Sequence, residues 1–504
     1  MRAIPGTMAT QHPDNAFAPY WDEAGRPFIS TYQEIGEAVT CFRDLGVSEY
    51  MWDWEGKHAD AAVIDRLFTD HYEYFSKHRL GRDKFLTFRI PNIWEEKGYN
   101  LLQAMTVVLS GEDEARDLKF GRRPLFEVIL PMTERPEQLM RIHKLFEKLA
   151  RFKSTDFTKR EPDNEDYLEL IPLVESVDSQ LGVADLLKEY VKQHQTHFGR
   201  KPAYLRPFLA FSDSSLSSGL LAGAIGNKLA LSRIHSFAAD SGISMHPIAG
   251  PGSLNFRGGL KPSPTSVQRF ITEFPGVRTV TVQSSFRYDH PKSAVKAAIK
   301  QLERELPKSR PRIVSPDDQA QLVKIAERSA DIYRKTLDAI APDMQPVFSG
   351  VPKRRDRRQH IGLLAYSRSM GGQSLPRAIT FTAAFYSVGV PPEFIAAGRT
   401  LASLDPKELS VLQDIYPGLA DDYQAAGRYL NLENLQKFAA GSTGWRGVLE
   451  DVVALESVLG IKLGPSTAAE RKHLDLSAEL INKPDGSNPT ELITQMAELR
   501  RSLG

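Results

Sequence analysis

The stretches LELIPLVE (168–175) and LRPFLAFSD (205–213) share one pattern, a short apolar run that ends in a carboxylate. Short runs rich in Val, Ile, Leu and Phe are typical of strands buried on both faces. A carboxylate directly after such a strand is costly unless it is paired or binds a cation. The two stretches therefore predict buried parallel strands whose carboxyl ends carry Glu175 and Asp213.

Further apolar runs follow a similar pattern along the chain. They are EYMWDWE near 49–55, KFLTFR at 84–89, LFEVILPM at 125–132, ISMHPIAG at 243–250, RTVTVQSSFRYD at 278–289 and HIGLLAYSR at 360–368. Helical patterns lie between several of them, such as the apolar face from Leu139 to Leu149. Strands that alternate with helices and end in reactive side chains favour an α/β fold, a (β/α)₈ TIM-type barrel.

The part after about residue 370 is mostly helical in pattern and rich in Ala, which predicts additional α-helices packed around the barrel. The stretch Ala378 to Val390 reads as a buried helix, and the polar stretch 155–166 as a loop. A length of 504 residues suggests two or three domains, although one elaborated barrel could also absorb it.

Composition narrows the class of protein. A net charge of +1 argues against a dedicated nucleic-acid or membrane-surface protein. The single cysteine, Cys41, excludes an intrachain disulfide and favours a reducing compartment. The N-terminus lacks the apolar core of a signal peptide, and no uninterrupted apolar run reaches about 18 residues. We therefore expect a cytoplasmic protein without a membrane span.

Glu175 and Asp213 are the candidate metal ligands. Two carboxylates from adjacent barrel strands could share Mg²⁺ or Mn²⁺, which prefer oxygen ligands and keep positions open for substrate. Alternatively, each caps the following helix or pairs with an arginine, and Asp213 before two serines resembles a helix start. Spacing alone leaves both interpretations open.

Four arginines, Arg89, Arg257, Arg287 and Arg368, lie in or directly after apolar runs. The planar guanidinium binds phosphate and carboxylate through two parallel hydrogen bonds. Several arginines at one barrel mouth would suit a small, multiply anionic substrate. The alternative for each is an internal ion pair with Glu or Asp.

Three further signals are weaker. Gly258 and Gly259 in GPGSLNFRGG would let the backbone approach a ligand, but glycine turns are common in barrel loops. His12 in TQHPDN is a possible general base or a histidine in a turn. The basic run KRRDRR at 353–358 could contact nucleic acid, lie in a solvated loop, or close over an anionic site.

Together these motifs resemble phosphoenolpyruvate carboxylase in its shorter archaeal-type form. The opening PGTMATQHPDN is close to the start typical of that form, and the resemblance continues from about residue 5 to the C-terminus. It implies a single domain over 1–504, with barrel strands and active-site loops roughly in 5–370 and a mainly helical part roughly in 370–504. It also implies a cytoplasmic homotetramer that uses Mg²⁺ or Mn²⁺ to join phosphoenolpyruvate and bicarbonate, giving oxaloacetate and phosphate through carboxyphosphate and a metal-stabilised enolate.

The family's functional residues match this chain motif by motif. The resemblance places the catalytic groups on His12 in TQHPDN, Arg89 in LTFRIPN, Arg257 in NFRGG and Arg368 in AYSR, and the metal ligands on Glu175 in PLVES and Asp213 in FSDS. It implies substrate contacts from Asp53 and Glu55 in MWDWEGKH, Gly258, Gly259, Lys261, Gln283 and Arg287 in QSSFRYD, and Arg354 in SGVPKRR.

The chain departs from the longer members of the family in two places. RGG is followed by LKPS where they have a second glycine-rich loop with an arginine, so Lys261 is the candidate substitute in bicarbonate binding. The lysine of their SDSxKD pattern is absent after Ser214. A metal-dependent barrel lyase or aldolase acting on a 2-oxo acid would use the same carboxylates and arginines without bicarbonate or phosphate release. A nucleic-acid-binding protein would use KRRDRR, against the balanced charge.

Overall fold

The computed structural model describes residues 3–121, 123–157, 167–356, 369–370, 373–482 and 488–504. The strands in these ranges are β1 (Thr7–Thr10), β2 (Glu49–Asp53), β3 (Phe85–Arg89), β4 (Glu127–Leu130), β5 (Glu169–Val174), β6 (Tyr204–Leu205), β7 (Phe208–Ala210), β8 (Ser244–Met245), β9 (Ile248–Gly250), β10 (Thr279–Val282), β11 (Ser369–Met370) and β12 (Gln373–Ser374).

Eight of these described strands form a closed parallel barrel. Its order is β1–β2–β3–β4–β5–β7–β9–β10, and β10 pairs with β1 to close it. The predicted (β/α)₈ TIM-type class is confirmed. The short strand β6 pairs in parallel with β8 beside the barrel, and β11 pairs antiparallel with β12.

Helices cover the barrel and form the C-terminal part. They are α1 (Glu34–Thr40), α2 (Val63–Asp70), α3 (Tyr72–Lys77), α4 (Gly98–Asp117), α5 (Pro136–Phe152), α6 (Val177–Leu181), α7 (Val183–Phe198), α8 (Ser212–Ser241), α9 (Pro264–Glu273), α10 (Ser284–Tyr288), α11 (Lys292–Glu305), α12 (Pro316–Gly350), α13 (Ala378–Ser387), α14 (Ala397–Ala402), α15 (Pro406–Ile415), α16 (Leu419–Gly427), α17 (Leu432–Gly441), α18 (Thr443–Leu459), α19 (Ala468–Ile481) and α20 (Thr490–Arg500). Across the described ranges, no helix combines the length and hydropathy needed to cross a membrane.

Apolar side chains form three buried clusters. One fills the barrel with Met8, Met51, Ile129, Ile171, Leu173, Phe208, Ala210 and Ile248. A second lies between the strands and the surrounding helices. The third lies among the C-terminal helices, and it includes Phe256 from the loop after β9. The barrel mouth therefore contacts the C-terminal part directly.

Strand β1 is the barrel strand that the sequence patterns missed. Its residues, TMAT, place only Met8 and Ala9 between two threonines, so no apolar run marks it. The run at 360–368, interpreted as a strand, lies outside the described residues. The predicted buried helix at Ala378 is α13, most of whose residues are buried.

A buried ionic cluster lies at the amino ends of the barrel strands. The Arg206 side chain is 0% exposed, and its two terminal nitrogens lie 2.6 Å from Glu49 Oε2 and 2.6 Å from Glu127 Oε2. Tyr204 donates a 3.0 Å hydrogen bond to Glu127, and Thr87 donates one of 2.5 Å to Glu49. These carboxylates are therefore satisfied by protein groups, away from the barrel mouth.

Candidate active site

Strand alternation aims charged side chains into the barrel mouth. Side chains two residues apart on a strand point the same way. Met51 and Leu173 fill the barrel, so Asp53 and Glu175, two residues further, continue on the inner face at the carboxyl ends of β2 and β5. Arg89 ends β3 in register with Asp53. This is the end of the barrel where TIM-barrel enzymes hold their active sites.

Arg89 lies between two carboxylates. Its Nε donates to Asp53 Oδ1 at 2.8 Å, and its Nη1 lies 2.9 Å from Glu55 Oε2. Lys57 Nζ lies 3.4 Å from the other oxygen of Asp53. Burial alone would lower the pKa of Arg89, but Asp53, Glu55 and, more weakly, Glu175 hold that pKa well above its ordinary value. Arg89 is a permanent cation in a fixed orientation.

The pKa of Glu55 responds to charges from outside this cluster as well as within it. Burial raises the pKa of Glu55, and the negative charges of Asp53 and Asp213 raise it further, against the cations Arg89 and Arg377. Asp213 and Arg377 therefore act on the same site. Arg377, which directly precedes α13, is a residue that the sequence analysis did not identify.

Glu175 and Asp213 follow neighbouring barrel strands, because β5 pairs with β7 through Val174 and Leu209. Met132 N–H donates to Glu175 Oε1 at 3.2 Å. Asp213 lies in the first turn of α8, whose cap residue makes no side-chain capping bond. The described residues include no group of three or more His, Cys, Asp or Glu placed to hold a metal. Two carboxylates beside a substrate site nevertheless fit Mg²⁺ or Mn²⁺, which complete their shells with water and substrate oxygens.

Arg257 is buried beneath the mouth, with 1% exposure. Its Nε donates to Ser212 Oγ at 3.0 Å and its Nη1 to Asp14 Oδ2 at 3.2 Å. It also donates to the Gln283 side chain and to the Gly504 carbonyl oxygen. Burial lowers the pKa of Arg257, opposed first by Asp14. Gln283 thus contacts a predicted catalytic arginine.

The glycines after Arg257 are required by the backbone. Gly258 and Gly259 have φ values of 108° and 67°, in the region that disfavours side chains. A Cβ at Gly258 would lie 2.8 Å from both Phe211 and Pro251. The loop is therefore tightly packed, and its shape depends on glycine.

His12 lies two residues beyond the end of β1 and is half-buried. Its Nδ1 is 2.7 Å from Thr10 Oγ1, which fixes the ring. Asp14 holds the segment that follows, because its Oδ1 accepts from Ser285 N–H at 2.8 Å while its Oδ2 accepts from Arg257. Asp14 is a second residue that the sequence analysis missed, although it lies within TQHPDN.

Arg287 is 0% exposed and is bound on several sides by the protein. It donates to Thr10 O at 2.6 Å, Cys41 Sγ at 2.7 Å and Glu37 Oε1 at 3.1 Å. These contacts favour the internal-ion-pair alternative. A substrate contact from Arg287 stays a prediction.

The basic loop is bound to the N-terminal segment. Arg354 Nε donates to Asn15 O at 3.0 Å, and Arg355 lies 2.7 Å from Glu37 Oε2. Both arginines are buried, whereas Lys353 is exposed. The remainder of the run, at 357–358, lies outside the described residues.

Lys261 lies in the loop between Gly259 and α9, where its backbone N–H donates to Ser266 Oγ at 2.9 Å. Burial lowers the pKa of Lys261, and the neighbouring cations Arg428 and Arg269 lower it further. Arg368 lies outside the described residues, so its predicted place at the site stays a prediction.

A family model described as phosphoenolpyruvate carboxylase matches residues 4–504. The chain belongs to the archaeal-type phosphoenolpyruvate carboxylase family. Among family members, the phosphoenolpyruvate carboxylase of Leuconostoc mesenteroides is 53% identical over 100% of this chain and 99% of its own. That of Oenococcus oeni is 50% identical over the same shares, and that of Metallosphaera sedula is 36% identical over 100% of both chains. The resemblance seen in the motifs is confirmed, and the chain is a member of an enzyme family.

Proposed function

We propose that the chain carboxylates phosphoenolpyruvate with bicarbonate, giving oxaloacetate and phosphate in anaplerotic carbon fixation. One observation carries the proposal: Arg89, held by Asp53 and Glu55, shares a barrel mouth with Glu175 and Asp213 in a chain that matches the family from residue 4 to 504. This arrangement offers fixed cations for a phosphate and a carboxylate, and carboxylates for a metal ion.

The arginines bind the anionic substrate. Arg89 and Arg257 are oriented by carboxylates before any substrate arrives, so their charge is preorganised. Arg377 adds positive charge, the family resemblance predicts the same of Arg368, and the backbone at Gly258 and Gly259 allows close approach. Fixed cations of this kind stabilise the charge that develops as phosphate is transferred.

Glu175 and Asp213 would hold Mg²⁺ or Mn²⁺. When bound, the ion supplies Lewis-acid stabilisation of negative charge at the enol oxygen. The two carboxylates come from adjacent strands, which fits one shared ion.

The chemistry proceeds in three steps. A bicarbonate oxygen attacks phosphorus and the bond from phosphorus to the enol oxygen breaks, giving carboxyphosphate and the enolate of pyruvate. His12 takes the carboxyphosphate proton, and the bond from its carbon to the bridging oxygen breaks to give CO₂ and phosphate. The enolate carbon then attacks CO₂ to form oxaloacetate. The Thr10 hydroxyl orients the His12 ring for this proton transfer.

Water must be excluded, because a protonated enolate gives pyruvate. The segment before residue 357 is bonded to the N-terminal segment: Ile29 N–H donates to Arg354 O at 2.9 Å, and Asp356 N–H donates to Ile29 O at 2.9 Å. We propose the loop at 350–358 and the Gly258–Gly259 loop as the elements that close the site. We also propose, from the family resemblance, that the chain forms a homotetramer in the cytoplasm.

The test is a coupled oxaloacetate assay with phosphoenolpyruvate, Mg²⁺ and bicarbonate, omitting each in turn. Activity that requires all three, with one phosphate released per oxaloacetate, is the expected result. A folded, metal-supplied protein that forms no oxaloacetate would contradict the proposal, and turnover of a 2-oxo acid without phosphate release would favour a lyase instead.

A further inference from the structure

The loop that carries Arg257 is held by a buried carboxylate from the C-terminal part. Phe256 N–H donates to Glu393 Oε1 at 2.8 Å, and Tyr386 O–H donates to the same oxygen at 2.5 Å. Glu393 and Phe256 are both 0% exposed. The Phe256 ring also stacks on Phe381 of α13, with centroids 5.6 Å apart.

We infer that Glu393 is a positioning residue for Arg257, an inference that rests on the carboxylation proposed above. Phe256 directly precedes Arg257, and both lie in one short 3-10 turn, Asn255–Arg257. Glu393 bonds the backbone at the centre of that turn. It therefore determines where the turn sits, and with it the starting point of the Arg257 side chain.

The turn itself is rigid, so a displacement at Phe256 is passed on to Arg257. Arg257 N–H donates to Leu254 O at 2.9 Å, and Gly252 N–H donates to Arg257 O at 2.6 Å. These bonds close the loop into one unit with little internal freedom. A misplacement of about 1 Å at a reacting group can cost on the order of 100-fold in rate.

The segment that holds Glu393 is also fixed. Two prolines, Pro391 and Pro392, restrict the backbone just before it. Ala396, at φ 73°, is held by a 2.8 Å bond from its N–H to Asp451 Oδ2. Glu393 is therefore held by a rigid segment of the C-terminal part.

The protonation of Glu393 should make its effect on activity depend on pH. Burial raises the pKa of Glu393 to about 7, opposed by its bonds from Tyr386 and Phe256 and reinforced by Asp422 of α16. The charge of Glu393 also acts on Lys261 and Tyr423. The second oxygen, Oε2, is buried and has no hydrogen-bond partner among the residues that the structure describes. As pH rises through this range, Glu393 ionises and holds Phe256 through a stronger, charge-assisted bond.

The experiment compares Glu393→Ala, which removes the acceptor, with Glu393→Gln, which keeps an acceptor but cannot ionise. Steady-state kinetics with phosphoenolpyruvate are measured between pH 6 and 8.5. We expect Glu393→Ala to lower kcat about 10- to 100-fold in the folded enzyme. Glu393→Gln should equal wild type near pH 6 and fall about 3-fold or more below it by pH 8.5.

The matched control is Glu112→Gln, since Glu112 is a buried carboxylate of α4 that accepts from Arg123 N–H. It should leave kcat unchanged across the same range. A folded Glu393→Ala variant with normal kcat would overturn the inference about Glu393. The proposed function is judged separately, by whether the wild-type enzyme forms oxaloacetate. If Glu393→Ala does not fold, Glu393→Asp, which withdraws the acceptor from Phe256 N–H by one methylene, takes its place, and normal kcat in that folded variant would overturn the inference.

Discussion

The two ends of the barrel each hold an arginine between two carboxylates. At the amino end, Arg206 pairs with Glu49 and Glu127 at 2.6 Å, with its side chain 0% exposed. At the carboxyl end, Arg89 pairs with Asp53 and Glu55 at 2.8 and 2.9 Å, with its side chain 11% exposed. Strand β2 contributes to both, with Glu49 at its first residue and Asp53 at its last.

The difference lies in what surrounds each cluster. Around Arg206, Tyr204 donates to Glu127 and the Arg206 guanidinium donates to Thr279, so buried protein groups bind both carboxylates and both terminal nitrogens. Around Arg89, the Glu175 carboxylate also acts on the guanidinium, and Asp213 acts on Glu55. The same ionic chemistry is therefore enclosed by protein groups at one end, whereas at the other end it lies beside further carboxylates, where TIM barrels hold their active sites.

The largest expected effect is at the carboxyl end. His12→Asn should lower oxaloacetate formation by about 100- to 10,000-fold, because it removes the proposed proton acceptor that Thr10 orients. Bicarbonate-dependent phosphate release from phosphoenolpyruvate should persist, and the free energy of unfolding should stay close to wild type. Oxaloacetate and phosphate assays with a urea melt check this, and loss of both products in a folded variant would argue against the proton-transfer role.

The amino end should respond in stability. Arg206→Met leaves Glu49 and Glu127 buried without their cation, which typically costs about 3–5 kcal/mol. Denaturant unfolding measures the loss, and kcat per folded enzyme should be unchanged. Arg89→Met is the matched variant and should lower kcat instead. Equal effects of Arg206→Met and Arg89→Met on kcat would contradict the difference between the two ends of the barrel.

A smaller, pH-dependent effect is expected at Glu169, the first residue of β5. Burial, with Glu127 beside it, raises the pKa of Glu169 to about 7. The folded state then binds this proton more tightly than the unfolded chain, so stability falls as pH rises from about 4.5 to 7. Glu169→Gln should therefore gain on the order of 1–3 kcal/mol over wild type at pH 8 and little at pH 4.5. Unfolding curves at both pH values test this, and a gain independent of pH would contradict it.

The smallest effect concerns one hydrogen bond from an uncharged donor. Tyr204→Phe removes the 3.0 Å bond to Glu127 while Arg206 keeps its ion pair. We expect a loss of about 1–2 kcal/mol in unfolding free energy, with unchanged kcat. A change in the phosphoenolpyruvate KM would show that the amino-end cluster communicates with the mouth.

Most barrel strands could be predicted because they are buried on both faces and rich in branched apolar residues, as in Ile171 and Leu173. Strand β1 could not, since Thr7 and Thr10 frame only two apolar residues. Its place is determined by pairing with β2 and β10.

The same contrast holds for the site. Asp53, Arg89 and Glu175 could be predicted to converge because strand ends of a parallel barrel meet at one edge. Arg377 and Glu393 could not, because their positions depend on how distant helices pack. For Arg287, the sequence left substrate contact and internal pairing open, and only the structure shows its bond to Glu37.

Strand β1 closes the barrel against β10, so the earliest strand to be made pairs with the last barrel strand to be made. Its extension, from Gln11 to Asn15, then bonds to residues near 285, 354 and 503. Closing such long loops costs entropy before any contact forms, which slows folding. On the ribosome, the segment with His12 would emerge well before the residues near 285, 354 and 503, and it would remain without these partners until they are synthesised, exposed meanwhile to chaperones and proteases.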